Sequence, residues 1–209
     1  MLDKIDKNLK EYYGKNLSVN GAGAKGVGWK NEEAQRVRFE QLVKVVASPG
    51  PFSLNDLGCG TGDLIGLLDE RFGQYAYHGY DVLAEMIELA TRQYGSRPNA
   101  SFSVITGASD MQEADYAVAS GIFNLRYGTS DEEWLQYIVD SIGWMNRKSR
   151  KGFAFNALTK YSDPEYMQAH LYYSDPLYLF DYCKRNIAKD VALLHDYQQY
   201  DFTIIVRKH

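Results

Sequence analysis

The chain has 209 residues, with 23 Lys and Arg against 27 Asp and Glu, a formal net charge of −4 and 45% hydrophobic residues. That length suits one well-buried α/β domain and is short for two, and the charge lacks the basic footprint of a protein that grips phosphate backbones. The two cysteines, Cys59 and Cys183, form no Cys/His cluster of zinc spacing, and no apolar run has the length of a signal peptide or a membrane span. A cytoplasmic protein with neither a membrane nor a nucleic-acid partner is the expectation.

In chain order, residues 2–13 read as a short helix with Leu2, Ile5 and Leu9 on one side. Gly21, Gly23, Gly26 and Gly28 follow in a stretch too glycine-rich for a packed element, which predicts a flap. A helix is expected over 31–47, ended by Ser48-Pro49-Gly50. The run from Pro51 to Leu54 predicts a first strand, and Leu64 to Leu68 a helix. Residues 75–81 read as a second strand, 83–94 as a helix with Leu83, Met86, Ile87 and Ala90 in a stripe, 101–105 as a third strand and 116–120 as a fourth. Ser130-x-x-Glu133 is a capping box that opens a helix with Trp134, Ile138, Ile142 and Met145 inward. A fifth strand over 152–157, an irregular then helical stretch over 161–187, and a hairpin of 191–194 with 202–206 complete the chain. Strands alternating with helices imply a doubly wound, mostly parallel Rossmann-like sheet with a C-terminal antiparallel hairpin.

Between the first strand and its helix lies Asp56-Leu57-Gly58-Cys59-Gly60-Thr61-Gly62-Asp63. Three glycines at alternate positions permit a sharp turn and leave room for a ligand where a Cβ would intrude. A dinucleotide fingerprint reads G-x-G-x-x-G, whereas this turn reads G-x-G-x-G with Asp56 two residues before it. A carboxylate aimed at the ligand repels a pyrophosphate but suits a ligand carrying an ammonium and a sulfonium. A second acid, Asp81, follows about twenty positions on, the spacing at which such folds hold ribose hydroxyls.

At these residues the sequence resembles the class I S-adenosylmethionine-dependent methyltransferases, whose first motif is an acid followed by L-G-x-G-x-G. The resemblance runs from about Phe52 to the C-terminus. It implies a methyltransferase domain over 51–209, with 1–50 as an N-terminal helical lid extension, and S-adenosyl-L-methionine as cofactor with S-adenosyl-L-homocysteine as its product. It implies a first contact group of Asp56, Gly58, Cys59, Gly60 and Gly62 around the methionine part, Asp81 on the ribose, and Val82 and Met86 against the adenine. Relatives often place an acid after the third strand to accept the adenine amino group. Here the acid is displaced to Asp110, so Asp110 and Met111 are assigned to adenine, with a surface turn acid as the alternative. Ser120 and Gly121, after the fourth strand, line the cofactor, and Phe123 and Asn124 face the acceptor. That strand end carries neither the Pro-Pro-aromatic run of nucleobase methylases nor the paired glutamates of arginine methylases. Asn124 and Asn156 alone make a poor magnesium site, and no metal is expected.

The run Gly26-Val27-Gly28-Trp29, with Glu32, Gln35, Arg36 and Arg38-Phe39 after it, resembles the lid of a group of small-molecule methyltransferases. Trp29 is placed at the cofactor, and Arg38 is suited to the cofactor carboxylate, with a solvated helix face as the alternative. Tyr13 lies near the same mouth. Insertions after the fifth strand often build the acceptor pocket in this fold, and here the insertion holds several tyrosines, Tyr172 among them, that can stack on an aromatic or sugar-like acceptor. His170 is the one histidine placed to take a proton from a hydroxyl, the alternative being an amphipathic cover on the sheet. Methyl transfer mainly needs proximity and alignment, so no obligatory base is implied. The function expected is methyl transfer to an O or N atom of a small-molecule acceptor. A macromolecule methylase and a non-catalytic cofactor-binding subunit are the alternatives.

Overall fold

The computed structural model describes residues 32–47, 50–126 and 128–209. Its helices are α1 (Glu32–Leu42), α2 (Leu64–Arg71), α3 (Ala84–Tyr94), α4 (Asp131–Lys148) and α5 (Pro176–Asn186). Its strands are β1 (Phe52–Leu57), β2 (Tyr75–Asp81), β3 (Ala100–Val104), β4 (Ala114–Ala119), β5 (Ser149–Leu158), β6 (Asp190–Leu194) and β7 (Asp201–Arg207). They form one seven-stranded sheet in the order β3-β2-β1-β4-β5-β7-β6. The first five strands pair in parallel, and β7 runs antiparallel between β5 and β6. Strand order reverses between β1 and β4, which opens a crevice at their carboxyl ends.

Successive residues of a strand point to opposite faces, and the two cores follow that alternation. In β4, Tyr116 and Val118 join a cluster with Phe52, Leu54, Leu64, Ile65 and Leu68 under α1 and α2. Ala117 and Ala119 face the other side, where Phe153, Phe155, Trp134, Ile138, Ile142 and Met145 pack beneath α4. β7 divides in the same way, with Phe202, Ile204 and Val206 on the α4 side and Ile205 on the other. Burial on both faces is why these strands read as apolar runs.

The expected elements appear with shifted ends. β1 continues past Leu54 through two buried polar residues, Asn55 and Asp56. Asn55 Nδ2 donates to the carbonyls of Gln112 at 2.7 Å and Lys148 at 3.3 Å, so the amide nitrogen keeps its hydrogen bonds in the core, while Oδ1 is buried without a partner. α1 is shorter than the expected helix and tightens into a 3₁₀ turn over Val43–Val45. The α4 capping box forms in both directions: Glu133 N–H donates to Ser130 Oγ and Ser130 N–H donates to the Glu133 carboxylate. α5 is capped by Asp175, which accepts from the N–H groups of Leu177 and Tyr178.

α1 is fastened to the far strand by a buried ion pair. Arg38 Nη2 lies 2.5 Å from Asp201 Oδ2, and Asp201 has no exposed surface. Replacing one member strands a buried charge. Arg38→Ala is expected to destabilise the protein by about 3–5 kcal/mol, measured by urea denaturation, with the loss reduced in an Arg38→Met, Asp201→Leu double variant.

Candidate functional site

The crevice at the ends of β1 and β4 is an open cleft, walled by the Gly58–Gly60 turn, the β2–α3 junction, the β4 end and one face of α1. The turn needs its glycines: Gly58, Gly60 and Gly62 hold φ of 76°, 53° and 84°, the left-handed region that side chains rarely enter. At Gly58 a Cβ would also stand 2.1 Å from Ile122 Cγ2. The N–H groups of Gly58 and Cys59 both donate to the Tyr80 carbonyl, at 2.7 and 3.0 Å, which folds the turn over the end of β2.

Asp81 braces the same turn. Its Oδ2 accepts from Gly60 N–H and its Oδ1 from Leu83 N–H, each at 3.0 Å. A carboxylate has about four acceptor positions, so Asp81 keeps acceptor capacity for a ligand hydroxyl beside its backbone donors. Burial raises the Asp81 pKa, and the backbone donors at Leu83 and Gly60 oppose that rise. Asp56 accepts from the Tyr77 hydroxyl at 2.7 Å. Burial raises its pKa to about 7; the Tyr77 bond lowers it, and the charges of Asp81 and Asp63 raise it further. Asp63 is held by Thr61 Oγ1 at 3.0 Å and by Gln35 Nε2 at 3.1 Å.

Three carboxylates, Asp56, Asp63 and Asp81, therefore line one cleft, and among the described residues that line it none is Lys, Arg or His. Leu57, Val82, Leu83, Met86 and Ile105 supply apolar surface along the wall beside Asp81. Such a site favours a cationic ligand with ribose-like hydroxyls and an apolar ring, and repels a pyrophosphate.

A family model described as a methyltransferase domain matches residues 55–141. Among solved structures, N-methyltransferase NodS from Bradyrhizobium japonicum WM9, in complex with S-adenosyl-L-homocysteine, aligns with a TM-score of 0.66 at 14% identity. That alignment covers 96% of this chain and 98% of NodS. Magnesium protoporphyrin IX methyltransferase (ChlM) from Synechocystis PCC 6803, with bound S-adenosylmethionine, aligns at 0.67 and 15% identity over 98% of this chain and 97% of its own. These likenesses show the fold. The protein named "Putative methyltransferase Rv1506c" from Mycobacterium tuberculosis (strain ATCC 25618 / H37Rv) is 50% identical over 166 residues, 79% of this chain and 99% of its own. The chain belongs to the class I S-adenosylmethionine-dependent methyltransferases.

The cleft of this methyltransferase fits the cofactor: acids without a basic counterpart meet a cation, and Asp81 has acceptor positions to spare. Asp56, Gly58, Cys59, Gly60, Asp81, Val82, Met86, Ser120 and Gly121 are brought together on it, and Gly62 closes the turn through its N–H to the Cys59 carbonyl at 3.0 Å.

Seven expected contacts lie elsewhere. Arg38 points away, into its ion pair with Asp201; Gln35 and Phe39 are the α1 residues on the cleft. Asp110 is exposed and closes its own turn, accepting from Thr106 N–H at 2.8 Å, Thr106 Oγ1 at 2.9 Å and Gly107 N–H at 3.2 Å. Met111 and Phe123 are buried in the core beneath α4, because the chain bends inward at both places. Asn124 ties segments together: its Oδ1 accepts from Leu158 N–H at 3.0 Å and its carbonyl from Tyr172 N–H at 2.8 Å. His170 and the half-buried Tyr172 belong to that same cover, the His170 carbonyl accepting from Arg126 N–H, and neither lines the cleft. Trp29 and Tyr13, with the 2–13 helix and the flap, lie outside the described residues.

The sequence reading missed Asp63, Ile122, Tyr137 and Asn156 as site residues. Tyr137 and Ile122 look like core positions in sequence, and both line the cleft. Asn156 is fully buried on β5; its Oδ1 accepts from Gly121 N–H at 2.8 Å and its Nδ2 donates to Ser120 Oγ at 3.2 Å. It fixes the β4 end from behind. Asn156→Ala leaves the Gly121 N–H without its partner and is expected to cost about 1–3 kcal/mol in urea denaturation, with weaker S-adenosyl-L-homocysteine binding by calorimetry.

Proposed function

We propose that this methyltransferase transfers the methyl group of S-adenosylmethionine to an O or N atom of a small-molecule acceptor. The observation that carries the reading is the convergence of Asp56, Asp63 and Asp81 on a glycine-turn cleft that no basic side chain lines among the described residues. Its relatives in fold support the acceptor class: one is named for N-methylation, one for magnesium protoporphyrin IX and one for N-acetylserotonin. The chain's net charge of −4 favours a small molecule over a nucleic acid.

When bound, the cofactor supplies an electrophilic methyl on a sulfonium. The chain's part is to bind, orient and exclude water. Asp81 accepts the ribose hydroxyls with the acceptor positions its backbone donors leave open. Asp56 holds the cofactor ammonium, and the glycine turn gives that end its room. Val82, Met86 and Ile105 take the adenine. Ser120, Gly121 and Ile122, set by Asn156, form the floor where the acceptor meets the methyl, and Tyr137 and Phe39 close the mouth. No histidine lines the cleft, so alignment and desolvation carry the rate, and the nucleophile loses its proton to solvent.

S-adenosyl-L-homocysteine is expected to raise the melting temperature, by mass action on the folded state, and NAD is not. Asp81→Ala should weaken the homocysteine product's binding on the order of tenfold to a hundredfold. Labelled methyl from the cofactor should then appear on a metabolite fraction; an unchanged melting temperature with saturating ligand overturns the reading.

The raised Asp56 pKa sets a pH dependence. In the free protein the neutral form is favoured, so the stability Asp56 contributes is present at acid pH and is lost as pH rises through about 7. The ligand ammonium favours the ionised form. The melting shift given by S-adenosyl-L-homocysteine should therefore grow between about pH 6 and about pH 8. Asp56→Asn, which keeps an acceptor for Tyr77, should flatten that profile while stabilising the free protein at the alkaline end.

A further inference from the structure

α1 divides two hollows. Gln35 and Phe39 face the cofactor cleft, while Glu33, Val37 and Arg38 line a second, broader groove. Its other wall is the turn between β6 and β7 with the insertion after β5: Asp196, Tyr197, Gln198, Gln199, Tyr200 and Gln168. Its lining carries three amides and two tyrosines, with Glu33 and Asp196 as its acids and Ala34, Val37 and Leu158 as apolar surface.

Two features show that this surface is built. Gln198 holds φ of 55°, the one described residue other than glycine with a positive φ. A hairpin turn takes that conformation most readily with Gly or Asn, so a glutamine there keeps its amide on the groove against the local steric preference. Tyr200 is fixed, its hydroxyl donating to the Asp163 carboxylate, with its ring 6.3 Å from that of Tyr166. Both rings stay open to solvent, at 42% and 64% exposure, although burial would favour them.

A sugar ring has a face of C–H bonds edged by hydroxyls that both donate and accept. An anchored aromatic ring matches the face, and amides and carboxylates match the hydroxyls. An apolar ligand would leave the amides unpaired. An anionic ligand would meet Glu33 and Asp196, with Arg38 already paired to Asp201. We propose that this groove binds a neutral saccharide unit of the acceptor, whether that unit is free or part of a larger glycoconjugate. That the saccharide belongs to the acceptor rests on the proposed function; saccharide binding itself is tested apart from it.

The test is saturation-transfer NMR on the full chain, with methyl glycosides of a hexose, a 6-deoxyhexose and an N-acetylhexosamine as probes and phenol as the aromatic control. Saturation of ring C–H protons is expected for at least one glycoside. It should fall severalfold in Tyr200→Ala and in Gln198→Gly, a change that relieves the turn and removes the whole side chain with its amide. The melting shift with S-adenosyl-L-homocysteine should stay unchanged in both variants, which establishes that they are folded. Saturation of phenol alone, of no probe, or of glycosides equally in wild type and both variants overturns the proposal and leaves the methyltransferase reading standing. Loss of the melting shift in the wild type overturns that reading and leaves glycoside binding to be judged on its own signal.

Discussion

The cleft depends on one buried carboxylate that serves two backbones at once. Asp81 ends β2, accepts from Gly60 in the turn after β1 and from Leu83 at the start of α3, and so locks two strand-to-helix turns into one wall. A buried carboxylate without donors would be neutral or would destabilise the fold. Here two N–H groups offset part of the desolvation and keep the charge useful. The left-handed glycines are the steric counterpart: the Gly60 N–H reaches Asp81 only from a turn that an ordinary residue resists.

The other acids extend the same principle to a field. Asp56 and Asp63 add to the charge of Asp81, and each is held by a neutral partner, Tyr77 and Gln35 respectively. Among the described residues no cation cancels them inside the cleft. The site is thus set for positive charge before any ligand arrives, which is electrostatic preorganisation of a binding site. Its cost shows in the raised pKa of Asp56, a group that the fold would sooner keep protonated.

Legibility in the sequence followed the range of each signal. The glycine turn, Asp81 and the alternation of strands with helices are local patterns, and the structure carries them at the expected places. The burial of Asn55 and Asp56 at the end of β1 was hidden because both are polar, and their partners, Gln112, Lys148 and Tyr77, are distant in the chain. Asn156 was hidden for the same reason: its role exists only once β5 lies beside β4. Arg38 and Gln35 show the limit of helical periodicity. Both face inward, but whether α1 turns one or the other toward the ligand is decided by Asp201, 163 residues further on. Phe123 and Met111 fell at strand ends, where a residue is as free to bend into the core as into the cleft.

α1 joins these arguments. Its inner face contributes Gln35 and Phe39 to the cofactor cleft, and its flank contributes Arg38 to the bond with β7 and Glu33 to the outer groove. Arg38, the one cation among the described residues that line either hollow, is therefore spent on holding the helix in place, and both hollows keep acids in their lining. An acceptor bearing a carboxylate or phosphate near its reacting atom would meet repulsion from the same groups that admit the cofactor. On the proposed function, the electrostatics that would select the methyl donor would also restrict the acceptor, toward groups without negative charge beside the atom that is methylated.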